Sequence, residues 1–365
     1  MAHDLATKNS HLRKPYDVLA GLKSLLESVV SAEDFLAEEK IFKAYEKVLK
    51  TFEKDILRLD DVNELLFGEE ITAYGERCTA VFDRWEKEGG GPSLSAMIAQ
   101  AVKHFDLDVT SPTVKAAFVS SLLSEIPNDL QYHGNEHYRK VLFHAIRLLA
   151  THNYMPDQAV ELSGDDITLL LTGACIHDLG HEGGDNACDG VYTPGLMEQK
   201  AFDMARPYLD ACGISTDYLG EMETIVFCTD ITFFAGDNSP CVRMKKIYKY
   251  YFWDDDSEDV SLMMMGKLRR YEDNPRLVLL AMFLHEADIA TSAGLSYERT
   301  IVETVAFLGE RGISQAGPKT VLAFLRDQLG ETMFTQAAKA LFGSVMSNVI
   351  AQAEQDILQG RESFL

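Results

Sequence analysis

Leu19, Leu22, Leu25, Leu26 and Val29 fall three or four positions apart, and Phe42, Tyr45, Val48, Leu49 and Phe52 continue the stripe, with charged residues between them. That period predicts an amphipathic helical hairpin over residues 16–60. It would pack on the main body of the protein or serve as a regulatory or dimerising arm. Residues 88–93, Glu-Gly-Gly-Gly-Pro-Ser, interrupt the pattern and predict a linker. Helical spacing returns at 94–105 and 112–126, where Ser111-Pro112 reads as a cap followed by a first-turn proline. Two strongly apolar helices follow, at 167–176 and 277–284, and the stretches 302–308, 321–329 and 337–357 read as further core helices. Runs of alternating β-branched residues with hairpin turns are absent, and so are repeats. The pattern therefore predicts an all-α chain, with residues 1–75 as a helical extension and 76–358 as the main domain.

Composition narrows the possible partners. The chain has 365 residues, 46% of them hydrophobic, and a formal net charge of -23. So acidic a surface repels phosphate backbones and anionic membranes, which excludes nucleic acid and membrane as main partners. A small anionic substrate remains compatible if bound cations reverse the local field. The six cysteines, Cys78, Cys175, Cys188, Cys212, Cys228 and Cys241, form no C-x-x-C pair and read as buried free thiols in a reducing compartment. Residues 1–10 carry no apolar signal region, and no apolar run approaches the roughly 20 residues of a membrane helix. A cytoplasmic protein is expected.

Histidine placement points to the chemistry. Six of the ten histidines (His133, His137, His144, His152, His177 and His181) fall within residues 132–186. His133 and His137 are four apart, so on a helix they share one face. His144 and His152 lie further along and read as ordinary helix histidines. His177 and Asp178 are adjacent at the end of the apolar helix 167–176, a costly place for two polar groups unless each has a partner. A divalent cation would satisfy both, with the carboxylate able to bridge two ions. His181, one turn beyond, is placed to hold a metal-bound water. Gly180, Gly183 and Gly184 would let the chain turn tightly there. Asp288, which follows the second apolar helix, is the candidate distant carboxylate.

These motifs resemble, over about residues 130–330, the catalytic domain of the 3′,5′-cyclic nucleotide phosphodiesterases within the HD phosphohydrolase superfamily. The family's Y-H-N-x-x-H is similar to Tyr132 to His137, with Gly134 in place of asparagine. Its H-D-x-x-H-x-G-x-x-N matches His177 to Asn186. Three further motifs resemble Leu196-Met197-Glu198, Cys228-Thr229-Asp230-Ile231 and His285-Glu286-Ala287-Asp288-Ile289-Ala290. The resemblance implies a compact multi-helix bundle of the HD type. It implies His137, His177, Asp178 and Asp288 as ligands of a tightly held zinc. Asp178 would bridge to magnesium or manganese, whose waters His181, Glu198 and Thr229 would hold. His133 would be the general acid. Substrate contacts are expected from Tyr132, Asn186, Thr291 and Phe324, the last a stacking ring or plain core. Gln315 resembles the family's purine-binding glutamine by its S-Q-x-G context, whereas alignment of the following helix puts Pro318 there. The loops on either side of Glu198 are shorter than the family's. The stretch between Asp230 and Asp288 is longer, and its acidic run at 253–259 reads as a solvated loop in preference to a lid.

The implied reaction is hydrolysis of cyclic AMP or cyclic GMP to the 5′-monophosphate. A hydroxide bridging two cations would attack phosphorus while His133 protonates the departing 3′ oxygen. Two rivals remain. The same centre could cut another phosphate ester, such as a cyclic dinucleotide or a nucleotide. A silent HD-type domain could bind a nucleotide and signal through the N-terminal helices, though such a domain has no chemical need for the full ligand set.

Overall fold

The computed structural model describes residues 39–155, 160–256 and 259–364. The predicted helices of residues 16–38 therefore lie outside the described residues, as do Ser257 and Glu258 of the acidic run. The architecture is all-α, as the hydrophobic period requires. In chain order the helices are α1 (Glu39–Asp60), α2 (Asn63–Phe67), α3 (Tyr74–Lys87), α4 (Leu94–His104), α5 (Pro112–Leu123), α6 (Asn135–Tyr154), α7 (Gly164–Ile176), α8 (Leu196–Ala211), α9 (Thr216–Phe227), α10 (Pro240–Phe252), α11 (Pro275–Ala293), α12 (Tyr297–Glu310), α13 (Pro318–Ala323), α14 (Gln336–Ala338) and α15 (Ser344–Leu358). The one sheet among the described residues is a minimal hairpin, β1 (Ala187–Cys188) with β2 (Val191–Tyr192).

Local chemistry explains the helix ends. The Ser111 side chain accepts a hydrogen bond from the Val114 amide, so the predicted cap of α5 forms. α7 starts three residues earlier than its apolar run because Ser163 and Asp166 make a reciprocal capping box. The expected helix at 321–329 is α13 plus a π-helical turn, Phe324–Gln328, and a second such turn, Lys339–Gly343, interrupts the expected helix at 337–357. Residues 88–93 connect α3 to α4 but are tied down: the Gly91 amide donates to Glu136 and the Arg139 guanidinium donates to the Pro92 carbonyl.

The centre of the bundle is the trio α6, α7 and α11. α11 is buried on nearly every side, from Leu277 to Ala293, and packs on α6, α7, α9, α10 and α12. A helix apolar all round has to sit in the middle of the bundle. Arg276 ties its start to Asp166 of α7 and Glu221 of α9. The α1 stripe, Ile41, Val48, Phe52 and Leu59, joins the same apolar core and lies on α4 and α5. Five of the six cysteines are buried free thiols; Cys188, at the hairpin, is exposed instead, because two-residue strands leave no interior to enter. Of the acidic run, Asp254, Asp256 and Asp259 are exposed, and Trp253 stacks on Phe334 at 5.0 Å. Among the described residues no single helix is long and apolar enough to cross a membrane.

Candidate metal centre

The three central helices end, or pass, at one point. His137 lies in the first turn of α6, His177 and Asp178 directly follow α7, and Asp288 lies on α11. One nitrogen or oxygen from each of the four comes within 4.8 Å of all the others. His137 Nε2 is 3.2 Å from His177 Nε2, 3.3 Å from Asp178 Oδ2 and 3.1 Å from Asp288 Oδ1. His177 Nε2 is 3.3 Å from Asp178 Oδ2 and 3.6 Å from Asp288 Oδ1.

The donor set and its spacing fit a divalent cation. Bonds of about 2.0–2.2 Å to a tetrahedral zinc put neighbouring donors roughly 3.3–3.6 Å apart, and the separations above run from 3.1 to 3.6 Å. The His177 Nδ1–H donates to the Ala174 carbonyl at 3.1 Å, which leaves Nε2 as the lone-pair nitrogen facing the cluster. Burial and the two carboxylates act in opposite directions on the imidazoles. Desolvation lowers the pKa of His177 and of His137, but Asp178 and Asp288 outweigh it and hold both above the ordinary value. Both carboxyls are held below theirs, despite burial, by the two histidines. Buried carboxylates and imidazoles compressed this way are the electrostatic arrangement that a cation completes.

His133 stands beside this cluster, before α6 begins. Its backbone N–H donates to Glu310 Oε1 at 2.9 Å, and its Nδ1–H donates to Glu310 Oε2 at 2.7 Å. The Tyr132 amide also donates to Glu310. Burial raises the Glu310 pKa, but the His133 ring and the two amides lower it more, so the carboxyl sits below its usual range. The ring is thereby held with Nε2 free. Its face stacks on the His181 ring at 3.9 Å, and His137 lies 5.8 Å away. Asn128 fastens the surrounding loop, donating to the carbonyls of His133 and His181 at 3.0 and 3.2 Å. Gly134 has a structural reason to replace a larger residue: a Cβ there would come 2.3 Å from the Leu130 carbonyl oxygen.

Of the residues expected to hold waters, His181 stacks on His133 beside the cluster, whereas Glu198 lies on α8 and Thr229 just beyond α9. His181 Nδ1 accepts from the Gly183 amide at 2.9 Å, and burial pulls the ring's pKa down to about 4, so it is a neutral imidazole with its proton on Nε2. Gly180 and Gly183 adopt the left-handed backbone that the turn requires, whereas Gly184 does not. Glu198 is buried, accepts from Asn186 at 3.3 Å through Oε1, and has no partner for Oε2. Burial, then Asp230, pushes its pKa well above the carboxylate range. A buried oxygen left open in this way suits a bound water or ion. The Thr229 hydroxyl donates to the Val226 carbonyl at 2.9 Å, at the end of α9. Its neighbour Asp230 accepts from the Tyr192 hydroxyl at 2.7 Å and the Gly195 amide at 2.9 Å, so it anchors the hairpin to the start of α8.

The expected substrate contacts fare differently from one another. Tyr132 borders the cluster, its ring 5.0 Å from His137 and its hydroxyl 3.1 Å from Ser292. Asn186 is engaged with Glu198 and the Met197 amide. Thr291 is buried, with its hydroxyl 3.1 Å from His144. Gln315 is exposed on the loop after α12, and Phe324 packs half-buried against the core. His144 and His152 stay outside the cluster; His152 contacts the Val160 carbonyl at 2.8 Å. Sequence reasoning missed Glu310, Asn128 and Phe307, whose ring packs on Tyr132 and His133 at 5.3 and 5.9 Å. Glu310 is 177 residues from His133, and no local spacing announces such a pair. A polar cavity of about 510 Å³ between α1, the Gly89–Gly91 loop and α6 reaches the centre only at Tyr132 and His137.

No protein-family model matches the chain, and no curated protein does. Among solved structures the chain is similar to the phosphodiesterase domain of the RhoPDE fusion protein from the choanoflagellate Salpingoeca rosetta, with 14% identity, TM-score 0.49, 78% of this chain and 92% of that one covered. It is similar to a second structure of the Salpingoeca rosetta rhodopsin phosphodiesterase domain (15%, 0.49, 77% and 88%). A third is LmjPDEB1 in complex with IBMX (16%, 0.45, 74% and 98%). At these values the similarity is one of helix arrangement.

Proposed function

We propose that the protein is a metal-dependent phosphodiesterase that hydrolyses a 3′,5′-cyclic nucleotide, cyclic AMP or cyclic GMP, to the 5′-monophosphate. One observation carries the proposal: beside the four-residue cluster of His137, His177, Asp178 and Asp288 stands a pre-oriented histidine, His133, fixed by Glu310. Zinc at that cluster, with magnesium or manganese alongside, would neutralise charge on the phosphoryl oxygens and acidify a bound water.

The chain's own groups do the rest. As water oxygen adds to phosphorus, the bond from phosphorus to the 3′ oxygen breaks, and the departing oxygen needs a proton. As the imidazolium, with its Nδ1–H committed to Glu310, His133 would supply it from Nε2, and the proton given up by the attacking water would restore the ring. Glu310 holds the ring's orientation and tautomer, as the carboxylate of a catalytic triad does. His181 through Nε2–H and Glu198 through its unpartnered Oε2 would give polar partners to waters on the cations. Tyr132 and Phe307 pack edge-on against the His133 ring and help to hold it in place.

Another phosphate ester, such as a cyclic dinucleotide or a nucleotide, is the second reading. It is favoured by the Thr291 hydroxyl being spent on His144 and by the exposed position of Gln315, which leave the base without an evident polar partner. The deciding experiment is hydrolysis of cyclic AMP, cyclic GMP, a cyclic dinucleotide, AMP and bis-p-nitrophenyl phosphate, with magnesium or manganese and again with chelator. Chelator-sensitive release of a 5′-monophosphate from a cyclic mononucleotide is expected. Turnover of another substrate alone would keep the metal centre and discard the cyclic mononucleotide; metal-loaded protein inert on all five would overturn the proposal.

A further inference from the structure

Directly after Glu310 comes Arg311, at the end of α12. Its guanidinium lies over the Phe307 ring, 4.5 Å from the centroid, and Phe307 in turn packs on His133. One of its nitrogens pairs with Asp185 Oδ1 at 2.6 Å, in the loop between His181 and Asn186. One cation therefore bridges the end of α12, which carries the ring beside His133, to the loop between His181 and Asn186. Arg311 side-chain exposure is 37% and that of Asp185 is 61%, so the pair is open to water. An ion pair this exposed is weak and easily exchanged. A guanidinium has five N–H donors, and Asp185 occupies one nitrogen. Arg311 is thus pre-oriented by an aromatic face and loosely held by a replaceable carboxylate. It stands one aromatic ring away from His133, in a chain of net charge -23.

We propose that Arg311 is the anion receptor on the approach to His133. It captures the phosphate of an incoming phosphodiester by exchanging Asp185 for it, and hands the phosphate inward past Phe307 to the centre. Asp185 is the competing anion that keeps the guanidinium placed between encounters. The inference rests on the phosphodiesterase reading. It assigns Arg311 to capture, not to the chemical step, so kcat/KM and its salt dependence should change while kcat does not.

The opposing roles of the two residues give the test. If Arg311 receives the substrate and Asp185 competes, then Arg311→Gln should slow capture and Asp185→Asn should speed it. If the pair merely straps the loop to the helix, both substitutions loosen the same strap and shift the same quantity the same way. With metal-loaded protein we would measure kcat/KM on bis-p-nitrophenyl phosphate. Independently of turnover, stopped-flow would give the association rate of a fluorescent nucleoside 5′-monophosphate, at low and high salt. The expected result is a five- to tenfold fall for Arg311→Gln and a gain of about twofold for Asp185→Asn, on the scale of a rim charge that steers association. The salt dependence should flatten in Arg311→Gln. Shifts in one direction for both variants, or none, with the wild type binding and turning over, overturn the inference alone. A wild type that neither binds nor hydrolyses a phosphate ester overturns the phosphodiesterase reading and this inference with it. Unchanged metal content and melting temperature in both variants keep the comparison interpretable.

Discussion

His137 and His144 are seven residues apart on α6, two full turns, so both face α11. Both are buried, and both meet a polar residue of α11: Asp288 for His137 at 3.1 Å, Thr291 for His144 at 3.1 Å. Their fates differ because their neighbours differ. His137 meets two carboxylates and a second imidazole, and ends with its basicity raised. His144 meets the Tyr74 and Thr291 hydroxyls inside a ring of Phe82, Phe143 and Phe342, and burial holds its pKa down to about 3, with Lys140 adding to the effect. The same side chain on the same helix face becomes a ligand candidate at one end and a neutral packing element at the other. Carboxylate supply, not histidine placement, makes the difference.

The largest expected effect comes from removing that supply. Asp288→Ala should abolish metal retention and lower turnover by at least about a thousandfold, because the cation's charge stabilisation goes with it. Thr291→Val, one turn away, should leave metal content intact. Metal analysis of the purified variants decides it; an Asp288→Ala protein that still holds its full metal complement would break the comparison. Next is the proton donor. His133→Ala should keep metal and lose roughly 10²–10⁴ in kcat, the range of general acid catalysis. Glu310→Gln should cost about 10–100-fold in kcat, as for groups that orient a functional imidazole. Full activity in either variant removes the role assigned to it.

His144 then gives a pH signature. Its folded pKa lies below its unfolded value of about 6.5, so the folded state binds fewer protons than the unfolded one. The stability it contributes is complete above pH 6.5 and is lost as pH falls towards 3. At pH 4.5 the loss should be on the order of 2–3 kcal/mol, at 1.36 kcal/mol per unit. Denaturant titrations at pH 7 and 4.5 should show a smaller acid loss in His144→Gln than in the wild type. Equal losses in both would mean the ring is not held neutral.

Much of the site was legible because its residues are local in sequence. His133 with His137, and His177 with Asp178 and His181, are readable from helical spacing and from the cost of burying polar groups after an apolar helix. Asp288 was reachable because it too follows an apolar run. Glu310 and Asn128 were not, since their meaning comes from chain segments that meet only after folding. Thr291 was read as a substrate contact near the base; that its hydroxyl lies on His144 was not legible, because direction is set by rotamer and packing. The π-helical turns at Phe324–Gln328 and Lys339–Gly343 also escaped the period, which a single extra residue per turn shifts without changing its composition.

The smallest effect sharpens the comparison along α11 itself. Glu286 precedes Asp288 by two residues, so it points to another side of the helix, away from the histidines. There it accepts from the Thr335 amide at 3.0 Å, the Thr335 hydroxyl at 2.5 Å and the Phe334 amide. Burial outweighs those donors and raises its pKa to about 7, whereas the histidines hold Asp288 below its usual range. For Glu286 the folded state keeps its proton longer than the unfolded state does, so its contribution is complete below about pH 4.5 and lost as pH rises through 7. The sign is opposite to that of His144. Between pH 5 and 8 the wild type should lose on the order of 2 kcal/mol from this group, given one to two units of effective difference. Glu286→Gln cannot ionise, so its unfolding free energy should fall less over that interval. A wild type and variant that lose stability in parallel would show that Thr335 and Phe334 hold the carboxylate charged in the fold. Amide donors and a hydroxyl would then be enough on α11 to do for Glu286 what two imidazoles do for Asp288.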